Sequence, residues 1–206
     1  MKKIAINGFG RIGRAALRIS LENPDVEVVA INDPSTIEQT AHLFQFDTNF
    51  GTFKGDVSIE DGGKTLNVDG HKVKVFSTRE ISELPWGDLG VDTVLECTGV
   101  FRTKEGASKH LAQGAKKVVI SAPGKDDSFA TVVLGVNEDI LTGDETLLSN
   151  ASCTTNCLAP FAKVLHENFE IKSGLMTTIH AYTTSQNILD MGCPDLRRAR
   201  AAAANM

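Results

Sequence analysis

Two groups of residues in this sequence have the types and spacing to do chemistry. The first is Ser152-Cys153-Thr154-Thr155-Asn156-Cys157, after which Leu158, Phe161, Ala162 and Leu165 keep a helical rhythm. A thiol at a helix start has its thiolate favoured by the dipole and by unpaired backbone N–H groups. The same groups can stabilise the oxyanion formed when sulfur attacks a carbonyl. Cys157, one turn further in, reads as packing. His180 closes a strand candidate, Gly174–Tyr182, and α/β sites collect their chemistry at strand ends. Alone, Cys153 reads as a structural cysteine and His180 as a structural histidine. Together they can form an ion pair in which the imidazole acts first as base and then as acid.

The second group is Asn7-Gly8-Phe9-Gly10-Arg11-Ile12-Gly13, a G-x-G-x-x-G run between a strand and a helix. Its glycines serve a tight turn, close backbone approach to a pyrophosphate, and close helix–sheet packing. The helix N-terminus then meets the anion, with Arg11 and Ile12 at its opening. Asp33 lies 20 residues past Gly13, where an acidic side chain can accept the adenosine ribose hydroxyls. A carboxylate there repels a 2′-phosphate and favours NAD over NADP. The plain alternative, a glycine turn with a surface aspartate, loses ground in this strand context.

The elements that must position these groups alternate between strand and helix. Lys3–Asn7, a helix over Arg11–Leu21 with Ile12, Ala16 and Ile19 on one face, and Glu27–Asn32 form a βαβ unit. Between Phe50 and Phe76, turn signals at Asp61-Gly62-Gly63 and Asp69-Gly70 predict antiparallel hairpins inserted into the pattern. Thr93–Cys97, a helix over Thr103–Gln113 and Lys117–Ile120 restore the parallel character. The expected fold is therefore α/β, a Rossmann-type doubly wound parallel sheet over residues 1–150. The start of a second, α+β catalytic domain is expected over 151–206. Pro160 removes one backbone bond from the helix after Cys153, so a bend is expected there.

Composition limits the alternatives. The 206 residues are 41% apolar, with 21 Lys and Arg against 26 Asp and Glu, a net charge of −5. That make-up excludes disorder, collagen and coiled coil, and it lacks the basic surplus of a nucleic-acid binder. No run approaches the roughly 20 apolar residues of a spanning helix, so no membrane partner is expected. Four cysteines without paired spacing suggest neither a disulfide framework nor a metal site. A reduced, cytoplasmic protein is the expectation.

The segments Asn7–Arg14, Ser149–Pro160, His180–Thr183 and Asp195–Arg200 resemble phosphorylating glyceraldehyde-3-phosphate dehydrogenases, in order and along the whole chain. The resemblance implies NAD as cofactor, with glyceraldehyde 3-phosphate and inorganic phosphate as partners in a homotetramer. It implies that Cys153 adds to the aldehyde and that His180 takes the hydroxyl proton as hydride leaves. Phosphate then cleaves the resulting thioester. By the same resemblance Ser152, Thr154, Thr183 and Arg198 contact phosphate. Gly8, Gly10, Arg11, Ile12, Gly13, Asp33, Arg79, Thr98, Gly99 and Ser121 line the dinucleotide. On residue type alone, Arg197, Arg198 and Arg200 form a solvated face, Arg79 is a surface charge, and Ser121 turns the chain before Pro123.

Two departures qualify the resemblance. NAD-dependent relatives commonly carry a proline at the position of Gly192, followed by His-Lys, so this sequence leaves NADP use open. The family pattern also continues beyond residue 206. These residues are thus expected to be part of a longer enzyme, binding dinucleotide but turning over little in isolation. Two rival functions are erythrose-4-phosphate dehydrogenase, with the same thiol chemistry, and a dinucleotide-binding module without catalysis.

Overall fold

In a computed structural model of the chain, residues 1–205 are described. They form two compact units, one spanning Met1–Val164 and the other beginning at Leu165.

The first unit is built on one nine-stranded sheet in the order β3-β4-β5-β2-β1-β6-β7-β9-β8. Strands β1 (Lys2–Asn7), β2 (Val26–Asn32), β6 (Thr93–Glu96), β7 (Lys117–Ile120) and β9 (Leu147–Ser149) are parallel. The two-residue β8 (Ala130–Thr131) continues that direction beside β9. β3 (Val57–Glu60), β4 (Thr65–Val68) and β5 (His71–Phe76) are the expected antiparallel hairpins. They are not a separate layer, because β5 also pairs parallel with β2 through Ala30–Asn32 and Lys74–Phe76. One strand therefore closes the insertion and serves as the third parallel strand. The Asp69-Gly70 turn between β4 and β5 has both residues at positive φ, the primed geometry that matches strand twist.

Strand order reverses at β1. β2 lies on one side of it and β6 on the other, which opens a crevice at their carboxyl ends. Alternation sends successive residues to opposite faces. Ile6 and Ile31 join Leu17, Phe44, Leu66 and Val73 in one core. Ala5 and Ala30 join Leu84, Trp86, Val91 and Val94 in the other. Burial on both faces explains why these strands read as continuous apolar runs.

α1 spans Arg11–Ser20, but its buried residues are Gly13 and Leu17, not the predicted Ile12–Ala16–Ile19 stripe. Ile12 and Ile19 are exposed, while Ala16 packs at the core's margin. The missing Cβ of Gly13 lets that side of the helix press on the turn after β1. α2 (Ile37–Gln45) is an element the pattern reading passed over. Its signal is a capping box, in which Thr36 accepts from the Gln39 N–H and Gln39 accepts from the Thr36 N–H. α3 (Lys104–Ala112) begins at its Thr103 cap, within the predicted bounds. α4 (Cys153–Phe169) carries Pro160 in its interior and buries none of its residues.

Candidate active site

The glycine cradle lies where β1 runs into α1. Gly8 has φ +92°, and a Cβ there would stand 2.7 Å from the Thr98 nitrogen and 2.8 Å from Thr98 Cγ2. At Gly13 a Cβ would collide with the Gly8 carbonyl oxygen. Those two glycines are demanded by the protein itself. Gly10 differs, since a Cβ there would meet nothing within 4 Å. Its bareness serves no neighbour in the fold, which is what a position kept clear for a ligand looks like. Gly10 caps α1 with no side-chain hydrogen bond, and the first N–H groups of a helix have no partner within the helix.

Asp33 reaches across from the end of β2. Its carboxylate accepts from the Phe9 N–H at 2.8 Å and from the Ser35 N–H at 2.9 Å, which locks it beside the cradle. Each oxygen keeps a further lone-pair site for a hydroxyl donor. The exposed Arg11 pairs with Asp47 at 2.5 Å, its guanidinium 5.4 Å from the Phe50 ring centre. N–H groups of Phe50 and Asn49, with Arg11, hold the Asp47 carboxyl down at about 2. Ile12 is exposed at the same rim. The residues present therefore fit a dinucleotide: an open glycine backbone at a helix start, and an acidic side chain fixed next to it.

The facing wall follows β6. Thr98 and Gly99 are exposed, and Gly99 has φ +73°. Cys97 beside them is mostly buried. Burial pushes its thiol up to about 11 against the pull of a Ser121 hydrogen bond, with the charge of Glu96 adding to the rise. Ser121, half-buried, donates its N–H to the Glu96 carbonyl. Arg79 is exposed just past β5, next to Thr78, whose N–H donates to Asn32 Oδ1.

The thiol stands on the same sheet edge. β9 ends at Ser149, whose hydroxyl donates to the Ala122 carbonyl and accepts from the Ala151 N–H. Ala151 is buried in the left-handed region at φ +54°, a conformation that costs an alanine about 1 kcal/mol or more. The turn is held by Asn156, whose Nδ2 donates to the carbonyls of Asn150 and Ser152 at 2.7 and 2.9 Å. Ser152 caps the helix by accepting the Thr155 N–H at 2.9 Å. This sharp strand-to-helix turn presents Cys153, the first residue of α4, to solvent, with Ser152 and Thr154 beside it. Cys157 is exposed as well, so the packing role expected for it is not seen. No residue of α4 is buried.

The second unit holds the remaining candidates. The strand expected over 174–182 does not form, because no segment pairs with it among the described residues; Leu175 and Ile179 stand fully exposed. His180 thus sits in an irregular segment instead of at a strand end. Its Nδ1 lies 2.5 Å from the Ala181 carbonyl, which can only accept, so Nδ1 is the donor. Thr183 and Arg198 converge on one hydroxyl, with Ser185 Oγ 3.0 Å from Thr183 Oγ1 and 3.3 Å from Arg198 Nη1. Arg197 and Arg200 pair with Asp195 and Asp190.

Sequence reasoning missed the polar side chains below the crevice: Asn7, Asn32, Glu96 and His110, all buried. For Asn7, Asn32 and Glu96 the only sequence signal is a polar residue closing an apolar strand, and His110 lies within α3. Among the described residues, no helix is long and apolar enough to cross a membrane, and no group of three or more His, Cys, Asp or Glu could hold a metal ion.

A doubly wound sheet with a glycine cradle at its switch point, and a cysteine at a capped helix start on the same edge, defines a dinucleotide-binding α/β protein with a thiol site. Residues 2–104 match the family model for the glyceraldehyde 3-phosphate dehydrogenase NAD binding domain, and residues 152–206 match that for the C-terminal domain. The chain belongs to the glyceraldehyde 3-phosphate dehydrogenase family. It is 56% identical to the glyceraldehyde-3-phosphate dehydrogenase of Clostridium acetobutylicum, covering 100% of this chain and 61% of that protein. The Thermotoga maritima enzyme is 54% identical, with 100% and 62% covered. The chromosomal enzyme of Cupriavidus necator is 53% identical, with 99% and 61% covered. The chain thus spans about 61% of the length of these curated relatives.

Proposed function

We propose that the chain supplies the NAD-binding domain and the thiol-bearing start of the catalytic domain, 1–150 and 151–206, of a phosphorylating glyceraldehyde-3-phosphate dehydrogenase. The observation that carries this reading is the placement of an open glycine cradle and an elbow-mounted Cys153 on one sheet edge. Family membership and names at over 50% identity support the substrate. The complete protein is read as a cytoplasmic homotetramer.

In this reading Gly8, Gly10, Gly13 and the start of α1 hold the pyrophosphate, with Arg11 and Ile12 at the rim. Asp33 holds the adenosine ribose, and Arg79, Thr98, Gly99 and Ser121 complete the lining. Bound NAD supplies the hydride acceptor. The Cys153 thiolate adds to the aldehyde carbon to give a thiohemiacetal, whose oxyanion is met by N–H groups at the α4 start. His180, holding the proton given up by the Cys153 thiol, passes it to that oxyanion and takes it back from the hydroxyl as the C–H bond yields its hydride, leaving an acyl thioester on Cys153. Inorganic phosphate attacks that thioester, forming the acyl phosphate and releasing the sulfur. Ser152, Thr154, Thr183 and Arg198 bind the phosphate groups. Asp33 disfavours a 2′-phosphate, while Gly192, where relatives commonly carry a proline, leaves NADP use open.

Titration of the chain with NAD and NADP, followed by iodoacetate mapping, tests the reading. Saturable NAD binding with preferential alkylation of Cys153 is expected. A folded chain that binds neither nucleotide, or labels Cys153 no faster than Cys193, overturns it. In the complete enzyme, Cys153→Ser should abolish oxidation with NAD binding retained.

A further inference from the structure

A continuous chain of buried polar side chains runs beneath the crevice, and nothing in the proposed chemistry uses it. Asn32 Nδ2 donates to the Thr78 carbonyl at 3.0 Å and to Asn7 Oδ1 at 2.7 Å. Asn7 Nδ2 donates to Glu96 Oε2 at 2.5 Å. His110 Nε2 lies 3.0 Å from the same oxygen, and its Nδ1 accepts the Trp86 indole N–H at 2.9 Å. Because Nδ1 accepts, the ring's proton sits on Nε2 and is given to Glu96. Glu96 Oε1 takes the Thr98 N–H at 2.8 Å and the Thr98 hydroxyl, which itself accepts the Val100 N–H at 3.0 Å. Every group facing Glu96 is therefore a donor.

The arrangement connects the crevice's separate loops. Thr98 stands against Gly8 so closely that no Cβ fits between them. The position of Thr98 therefore sets one wall of the glycine cradle, and Glu96 sets the position of Thr98. Through Asn7 and Asn32 the same carboxylate reaches Thr78, beside Arg79. We propose that Glu96 is a positioning residue for the dinucleotide: a buried carboxylate that fixes the Gly8 cradle, the Thr98–Val100 turn and the Thr78 loop relative to one another. The proposal rests on the NAD-binding reading above.

An amide cannot replace this carboxylate. Glu96→Gln turns an NH₂ either toward the Asn7 and His110 donors or toward Thr98, so one side always meets donor with donor. His110 cannot change tautomer without losing Trp86, and Asn7 cannot flip without opposing Asn32. The mismatch is released where the network is exposed, at Thr98.

The test compares the wild-type chain with Glu96→Gln, Thr98→Val and Trp86→Phe. NAD affinity is read by calorimetry well below each melting temperature, and Thr98 and Val100 amide exchange by NMR. Glu96→Gln should weaken NAD binding tenfold or more and speed both amides at least tenfold. Thr98→Val, which removes only the hydroxyl, should weaken binding several-fold with a smaller loss of stability. Trp86→Phe removes a donor far from the crevice and should lower the melting temperature while leaving NAD affinity within twofold. A folded Glu96→Gln chain that binds NAD within twofold of wild type overturns the proposal. Should Glu96→Gln fail to fold, unchanged affinity in Thr98→Val does so instead. A wild-type chain that binds no NAD sinks the NAD reading, and this positioning role with it. Equal Thr98 exchange in wild type and Glu96→Gln would then also refute the clamp itself.

Discussion

Alanine substitution at the three cradle glycines separates what the fold requires from what a ligand requires. At Gly8 a Cβ would lie 2.7–2.8 Å from atoms of Cys97 and Thr98, two of the three being backbone, and φ is +92°. Left-handed strain costs about 1 kcal/mol, and overpacking adds roughly 1–3 kcal/mol. Gly8→Ala should thus lose about 2–4 kcal/mol, a fall in melting temperature of about 4–16 °C for a domain of this size. Gly13→Ala, with its Cβ against the Gly8 carbonyl, should lose at least as much. At Gly10 φ is −75° and the space is empty. There the modest loss of an alanine at a helix cap opposes the stiffening of the unfolded chain, each about 0.5 kcal/mol. Stability of Gly10→Ala should be unchanged within about 0.5 kcal/mol, whereas NAD affinity should fall at least tenfold, about 1.4 kcal/mol. Thermal melts and NAD titration of the three variants measure both quantities. If Gly10→Ala binds NAD as wild type does, the backbone at residue 10 does not approach the pyrophosphate, and the geometric reading of the cradle is wrong.

Further outcomes follow from the thiols, the acid groups and the α4 cap. Cys97, whose thiol is pushed up to about 11, should resist iodoacetate at pH 8 while Cys153 is alkylated, as peptide mass mapping would show. Asp47 is lowered from 3.8 to about 2, chiefly by the Phe50 N–H, so its contribution is whole above pH 4 and lost as pH falls through 2. Asp47→Asn should therefore flatten the fall in urea midpoint between pH 4 and pH 2; an equally steep fall would count against that pairing. Glu145, brought to about 2 chiefly by the Thr142 N–H, should behave in the same sense on its exposed loop. Ser152→Ala removes the α4 cap and should cost about 1 kcal/mol, lowering the melting temperature about 2–4 °C and slowing Cys153 alkylation.

The parts of this structure legible in its sequence are those fixed by local rules. The βαβ start, the Asp-Gly hairpins and α3 follow from periodicity and turn chemistry acting over a few residues. Where the outcome depends on distant partners, local pattern misleads. Ile12 and Ile19 complete an apolar helical stripe, yet the glycine at 13 decides which side meets the sheet. Val73–Phe76 reads as the last strand of a hairpin, and only the fold reveals its second, parallel edge against β2. Gly174–Tyr182 has a strand's composition but no ladder partner among the described residues, and a strand without one is only an extended chain.

The candidate site divides along the same line. Its ligand-facing half, with Gly8, Gly10, Gly13, Asp33 and Cys153, is written in motifs because a ligand dictates residue types at fixed spacing. Its supporting half has no such pattern, since Asn7 and Glu96 are 89 positions apart and Asn7 and Asn32 are 25 apart. Each of these ends a strand of apolar residues, where a polar side chain looks like ordinary punctuation. Only parallel pairing, which brings the ends of β2, β1 and β6 side by side, turns three separate stops into one hydrogen-bonded row. The switch point therefore does two things at once. It opens the crevice above the strand ends, and it gathers beneath that crevice a row of buried polar atoms that hold its loops in register.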